Sequence, residues 1–232
     1  MPDIKLITEN LADELIPGIQ RASGIYILTS FVMESCQAAR SAFKRRDGRG
    51  AEVKLLAGDY LFVSQPEALR SLLRIHPSIE ARLWRSRGTS FHPKAYLFDY
   101  ENGQGLFIVG SSNLSLSAFR MGVEWNLAVN AEVEPFTFQQ ALVKFMTNFY
   151  HEFTQPLNES TITHYESEYK LHHQKFPELV RTITEMEETE LMLPHKEQKS
   201  EDEHPGTELR AITPRTAQQG ALEALEATLA EG

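Results

Sequence analysis

Phe91-His92-Pro93-Lys94-Ala95-Tyr96-Leu97-Phe98-Asp99 is the stretch from which the rest of the chain can be placed. It predicts a β-strand over residues 92–100, with His92, Lys94, Tyr96 and Phe98 on one face and Asp99 on the other, because side chains alternate. A His and a Lys two apart on a strand point the same way, which sets a nucleophile or proton donor beside a fixed positive charge. Asn102-Gly103 is a strong hairpin signal and leads into a second strand over residues 105–110. Gly110-Ser111-Ser112-Asn113 follows. Its glycine lets backbone approach a ligand, and Ser111 and Asn113 supply neutral hydrogen-bonding groups. A third strand is expected over residues 123–130, with Glu124 an acid in an otherwise apolar run. A buried carboxylate needs a partner, and an imidazole N–H or an ammonium would serve.

Upstream, residues 9–22 carry Leu11, Leu15 and Ile19 at helical spacing, although Pro17 interrupts the pattern. Ile25 to Val32 is a continuous β-rich run of the kind buried on both faces of a sheet. A helix over 34–46, a strand over 53–58, a helix over 66–75 opened by Pro66 and a strand over 80–84 come next. Downstream, residues 136–153 form an amphipathic helix with Phe138, Leu142, Phe145 and Phe149 on one face. Helices and strands in this order predict an α/β protein, a mixed sheet flanked by helices. A partly helical, acidic extension follows: residues 165–193 include a helix broken near Pro177, and 194–206 read as a solvated linker. The expected organisation is a domain over 1–155, an acidic linker over 156–206 and a new apolar segment over 207–232.

The 232 residues suffice for a sizeable core. No apolar run reaches membrane-spanning length, and no signal peptide is evident at the N-terminus, so a cytoplasmic location is expected. The single cysteine, Cys36, excludes an intramolecular disulfide framework and a multi-cysteine zinc site. The net charge of −9 is uneven: residues 1–155 hold 16 basic and 16 acidic side chains, residues 156–232 hold 7 and 16. The excess negative charge therefore lies wholly in the C-terminal third and does not exclude a phosphate-bearing partner for the first 155 residues. No cluster of metal-ligand spacing is seen. Trp125 is expected in the core or an interface, and His151, His164, His172 and His173 at the surface.

His92, Lys94 and Asp99 in HxKx4D spacing, then Gly110, Ser111 and Asn113 in a GSxN element, resemble the signature of the phospholipase D superfamily. Glu124 matches the carboxylate that its single-motif bacterial endonucleases carry on the next strand. The gap between Asp99 and Gly110 is wider than usual and falls at the Asn102-Gly103 turn, where a longer hairpin absorbs it. The resemblance spans about residues 20–153. It implies that His92 attacks phosphorus to form a phosphohistidine and that a second His protonates the leaving oxygen and then activates water. Lys94 and Asn113 would hold the phosphoryl oxygens, Ser111 would assist, and Glu124 would orient His92. Asp99 would be structural, as would Gly110. The chemistry implied needs no cofactor and no metal.

One motif copy makes half of such a site, so the resemblance also implies a homodimer facing two His92 side chains across a two-fold axis. Residues 209–222 resemble the opening of a superfamily 2 helicase motor, in which Gln218 would contact adenine; the chain reaches Gly232 before any phosphate loop. Together these lead to a metal-independent endonuclease acting on DNA, in bacterial restriction or phage defence, with a possible helicase motor as partner and no membrane. The alternatives are a catalytically silent DNA-binding or dimerisation module attached to a helicase, and a phospholipid phosphodiesterase.

Overall fold

The computed structural model describes residues 4–33, 43, 50–75, 78–88, 90–114 and 124–177. All of them fall in a unit that runs Met1–Leu193; Pro194–Gly232 form a second unit, which lies outside the described residues. Cys36, the expected helix over 34–46 apart from Phe43, and the helicase-like segment with Gln218 lie outside them too.

In chain order the described elements are β1 (Ile4–Ile7), α1 (Ala12–Arg21), β2 (Gly24–Thr29), β3 (Glu52–Gly58), α2 (Pro66–Leu72), β4 (Ile79–Trp84), β5 (Ala95–Asp99), β6 (Gly105–Gly110), β7 (Asn126–Asn130), α3 (Pro135–Phe149), β8 (Thr154–Pro156) and α4 (Glu159–Lys175). The eight strands make one sheet in the order β1-β7-β6-β5-β2-β3-β4-β8. β2, β3 and β4 are parallel neighbours; every other pairing is antiparallel. The fold is thus the expected mixed sheet flanked by helices.

The apolar runs of β2 and β3 take the middle of the sheet because both of their faces are covered. One face packs on α1, α2 and α4 through Leu15, Ile19, Leu69, Leu72, Ile162 and Tyr165. The other packs on α3 through Phe138, Phe145 and Phe149, against Tyr26, Leu28, Leu56 and Leu97. Gly18 lets α1 lie close on β5: a Cβ there would sit 2.7 Å from the Phe98 ring.

Two sequence expectations need correction, and one strand was not expected. β5 begins at Ala95, not at residue 92. It is flanked by β2 and β6, and Pro93 has no N–H to give to a ladder, so pairing cannot extend back to His92. β7 likewise begins at Asn126, leaving Glu124 in the segment before it. β1 was not anticipated; it is a four-residue edge strand whose first three residues are exposed, too short to show a pattern.

The packing also runs past residue 155. β8 pairs with β4, and α4 lies on α2 with Ile162 and Tyr165 buried. The Tyr165 hydroxyl donates to the Ser64 carbonyl at 2.7 Å, and Arg70 of α2 pairs with Glu166. Asn158 and Thr161 form a reciprocal capping box that starts α4 well before the expected helix start at 165. The helix stops at Lys175, just ahead of Phe176-Pro177, as a residue preceding proline disfavours helix.

Candidate active site

Four segments end at one edge of the sheet: residues 29–31 after β2, 92–94 before β5, 110–113 after β6 and 124–126 before β7. The register sets this, because Leu28 pairs with Ala95 and Gly110 with Asn126. His92, Lys94, Ser111, Asn113 and Glu124, scattered over 33 positions, are brought to that edge.

Lys94 is buried while His92 is exposed. The Lys94 ammonium donates to His92 Nδ1 at 2.9 Å and to Ser30 Oγ at 3.1 Å. Ser30 in turn donates to the Pro93 carbonyl at 3.3 Å, so the ammonium is tied to the end of β2 as well as to the imidazole. The His92 ring meets Phe31 edge-on at 5.6 Å. The partial loss of water around its ring holds the His92 pKa below the ordinary 6.5, and the Lys94 charge lowers it further. Burial likewise lowers the Lys94 pKa, partly offset by the field of Glu124. His92 is therefore neutral at pH 7, the state an imidazole nucleophile needs.

Asn113 is fixed through its carbonyl. Its Oδ1 accepts from the Phe31 N–H at 3.3 Å, with the Thr29 hydroxyl 3.4 Å away. The amide NH2 is thereby turned the other way and has no acceptor among the described residues. Thr29 is the hub of this corner. Its hydroxyl donates to the Phe31 carbonyl at 2.8 Å and accepts from the Leu114 N–H at 3.1 Å. Sequence reasoning missed Thr29 and Ser30, both fully buried. The available signal was two hydroxyls ending a run of apolar strand residues.

Glu124 does not touch His92 in this chain. Its carboxylate accepts from the Ser111 hydroxyl, whose oxygen also accepts from the Trp125 N–H at 2.9 Å. Glu124 is half-buried rather than enclosed, and Lys94 feels it only through space. The orienting contact to His92 expected from sequence is replaced by one to Ser111, because Glu124 precedes β7 instead of lying within it. Gly110 admits the crossing of these segments: a Cβ there would fall 2.2 Å from the Trp125 carbonyl oxygen. Behind them, Tyr96 donates to the Ser112 carbonyl at 2.9 Å, and Asn126 Nδ2 donates to Ser112 Oγ at 2.8 Å. Asp99 lies at the far end of β5, paired with Gly24, where burial raises its pKa.

Trp125 is 63% exposed beside this edge, not in the core. His151 is stacked on Trp84, and His172 and His173 pack around Phe62 and Tyr169, so these three are not plain surface residues. Among the described residues no group of three or more His, Cys, Asp or Glu side chains is placed to hold a metal, and no helix is long and apolar enough to cross a membrane.

This edge brings together the histidine, lysine and asparagine singled out from the sequence. Residues 15–155 match the family model described as cardiolipin synthase, PLD-like domain, and the chain belongs to that family. Phosphatidylserine synthase of Haemophilus influenzae is similar in fold, with a TM-score of 0.52 at 15% identity over 80% of this chain and 48% of that one. NucT from Helicobacter pylori matches with a TM-score of 0.48 at 18% identity, over 66% of this chain and 98% of its own. Nuc from Salmonella typhimurium, a phospholipase D family member, matches with a TM-score of 0.48 at 18% identity, over 67% and 97%. No curated protein matches the sequence.

Proposed function

We propose that this chain is an endonuclease that cleaves DNA phosphodiesters through a phosphohistidine on His92, without a metal ion, at a site completed by a second copy of the chain. The observation that carries this is the buried Lys94 ammonium 2.9 Å from a neutral, exposed His92 imidazole, at the same end of the sheet as Asn113, whose NH2 has no acceptor among the described residues. An entering phosphoryl group competes for the ammonium and releases the imidazole nitrogen. That nitrogen attacks phosphorus while Lys94 and Asn113 donate to the non-bridging oxygens, where charge gathers in the transition state. The P–O bond to the leaving group breaks, and its oxygen takes a proton from His92 of the partner subunit, which enters the step as an imidazolium held protonated by the negative charge of the bound phosphate. That imidazole then accepts a proton from water, which attacks phosphorus and regenerates His92. Ser111 holds Glu124, whose negative charge favours the protonated form of Lys94.

A surface suited to the second copy adjoins the site. Leu6, Leu127 and Val109 are cross-strand neighbours on β1, β7 and β6, and are 53%, 40% and 39% exposed. With Trp125 they form an apolar row one residue in from the catalytic edge. The reading extends to chain organisation: an acidic linker, then a helicase-like segment over 207–232 in which Gln218 would contact adenine, in a cytoplasmic defence nuclease.

Nicking of plasmid DNA in excess EDTA tests the proposal. Wild type is expected to nick, and quenched enzyme to carry an acid-labile phosphoryl group from labelled substrate; His92→Ala loses both. A folded His92→Ala variant with near wild-type cleavage overturns the mechanism. Binding of DNA with no hydrolysis of any diester would favour the silent module instead, and cleavage confined to phospholipid vesicles the lipid enzyme.

A further inference from the structure

We infer that Arg87, His151 and Phe153 form a subsite for single-stranded nucleic acid, holding the strand a few nucleotides from the scissile phosphate. The inference rests on the nuclease reading of His92 and names where the rest of its substrate lies.

The segment after β4 leads directly to His92. Trp84, the last residue of β4, is stacked between Phe91 and His151, at 4.9 and 4.8 Å between ring centres. Phe91 precedes His92, so the stack links the catalytic edge to the 151–153 turn after α3. Phe153 meets Trp84 edge-on at 5.9 Å and His151 at 4.9 Å. Arg87 lays its guanidinium over the Phe153 ring at 5.0 Å. The result is an aromatic ledge capped by a cation.

Arg87 is exposed, and its backbone sits in the left-handed region, φ +47°. A non-glycine residue there carries strain, of the kind functional loops hold. It forms no ion pair among the described residues. Its neighbours differ: Arg85 is bound by Asp59 and Glu168, and Arg82 lies by Phe149 and Tyr150 with Glu80 at 3.8 Å. Arg87 is therefore the cation of this segment left for an outside anion, on a stack where a base can lie against guanidinium and imidazole. Paired aromatic and cationic groups of this kind bind single strands with little regard to sequence.

The spacing fits. His92 packs against Phe31 just past β2, and the ledge sits at the end of β4, two strands away, about 10 Å at ~4.8 Å per strand. For a strand kept base-stacked, with the duplex rise of ~3.4 Å per nucleotide, that is at most about three nucleotides. A dinucleotide cannot reach both points, whereas a hexanucleotide can.

The test uses the full chain in EDTA. Binding of fluorescein-labelled oligothymidylate is followed by anisotropy on the His92→Ala background, so that cleavage does not intervene. Adding Arg87→Ala should weaken binding about tenfold and reduce the salt slope by about 0.7, the value for one phosphate on a single strand. Arg87→Lys should restore the slope and only part of the affinity. On the active background, Arg87→Ala should raise KM for a hexanucleotide but leave hydrolysis of bis(p-nitrophenyl) phosphate unchanged, since that ester is too small to reach the ledge. Unchanged oligonucleotide binding in Arg87→Ala, or equal loss on the small ester, overturns the subsite. Wild type that hydrolyses the small ester but binds no oligonucleotide, while binding duplex or lipid, overturns it too and leaves phosphodiester chemistry at His92 standing.

Discussion

Thr29→Val puts the corner that holds Asn113 to the test. The two side chains have nearly the same shape, so packing is preserved and only the hydroxyl is lost. In the wild type that hydroxyl accepts from the Leu114 N–H at 3.1 Å and donates to the Phe31 carbonyl at 2.8 Å. Leu114 is 1% exposed, so its N–H cannot turn to water and stays unpaired in the variant. A buried donor left without a partner costs about 1–3 kcal/mol, which is the expected loss of stability in urea denaturation. Asn113 Oδ1 keeps the Phe31 N–H but loses its second neighbour, and the Phe31 carbonyl loses its donor. The asparagine therefore loosens, and kcat in the plasmid or small-ester assay should fall by about tenfold to a hundredfold, as small misplacements of positioning groups do. Thr29→Ser keeps the hydroxyl and should recover most of kcat while losing only the packing of one methyl. A Thr29→Val protein with stability and kcat both at wild-type levels would refute this account of the corner.

Lys94→Ala should lower kcat by about a hundredfold or more in the small-ester assay, as removal of a transition-state charge partner does. Gly110→Ala should cost about 1–3 kcal/mol in denaturant unfolding, since its Cβ would fall 2.2 Å from a backbone carbonyl oxygen. The pH–rate profile should lose activity on the acid side only below 6.5, because the His92 pKa is depressed and attack needs the neutral imidazole; on the alkaline side it should fall as the imidazolium that serves as leaving-group acid deprotonates. The unfolded chain takes up the His92 proton first as pH falls, so stability from this group is complete above 6.5 and declines below it. Leu127→Glu sets a charge in the apolar row; sedimentation should move from about twice 26.4 kDa to one chain, with loss of cleavage. Full activity in a demonstrated monomer would remove the shared site.

The alternating and continuous apolar runs were enough to place β2, β3, β4, β6, α1 and α3 near their true positions, because their burial is written in composition and period. β1 and α4 were harder for opposite reasons. β1 is short and mostly exposed, so it shows no face. α4 buries only Ile162 and Tyr165 within a polar, acidic sequence, so its membership of the core rests on partners far away in the chain, Ser64 and Arg70. The same holds for His151, whose stacking on Trp84 depends on β8 and β4 lying side by side.

At the site, sequence alone determined which residue types could do phosphoryl chemistry, since His92, Lys94, Ser111, Asn113 and Glu124 follow one another in a recognisable spacing. Tertiary structure decided what each one touches. Pro93 ends the strand early and lets Lys94 fold back onto the His92 ring. Sheet register carries Thr29 and Ser30 to the same edge, where one holds the Asn113 corner and the other the Lys94 ammonium. Glu124 falls outside β7 and so meets Ser111 instead of His92. Spacing within a strand fixes which face a side chain takes, but contacts between strands depend on register and on where each strand ends, and those are set by the packing of the whole sheet.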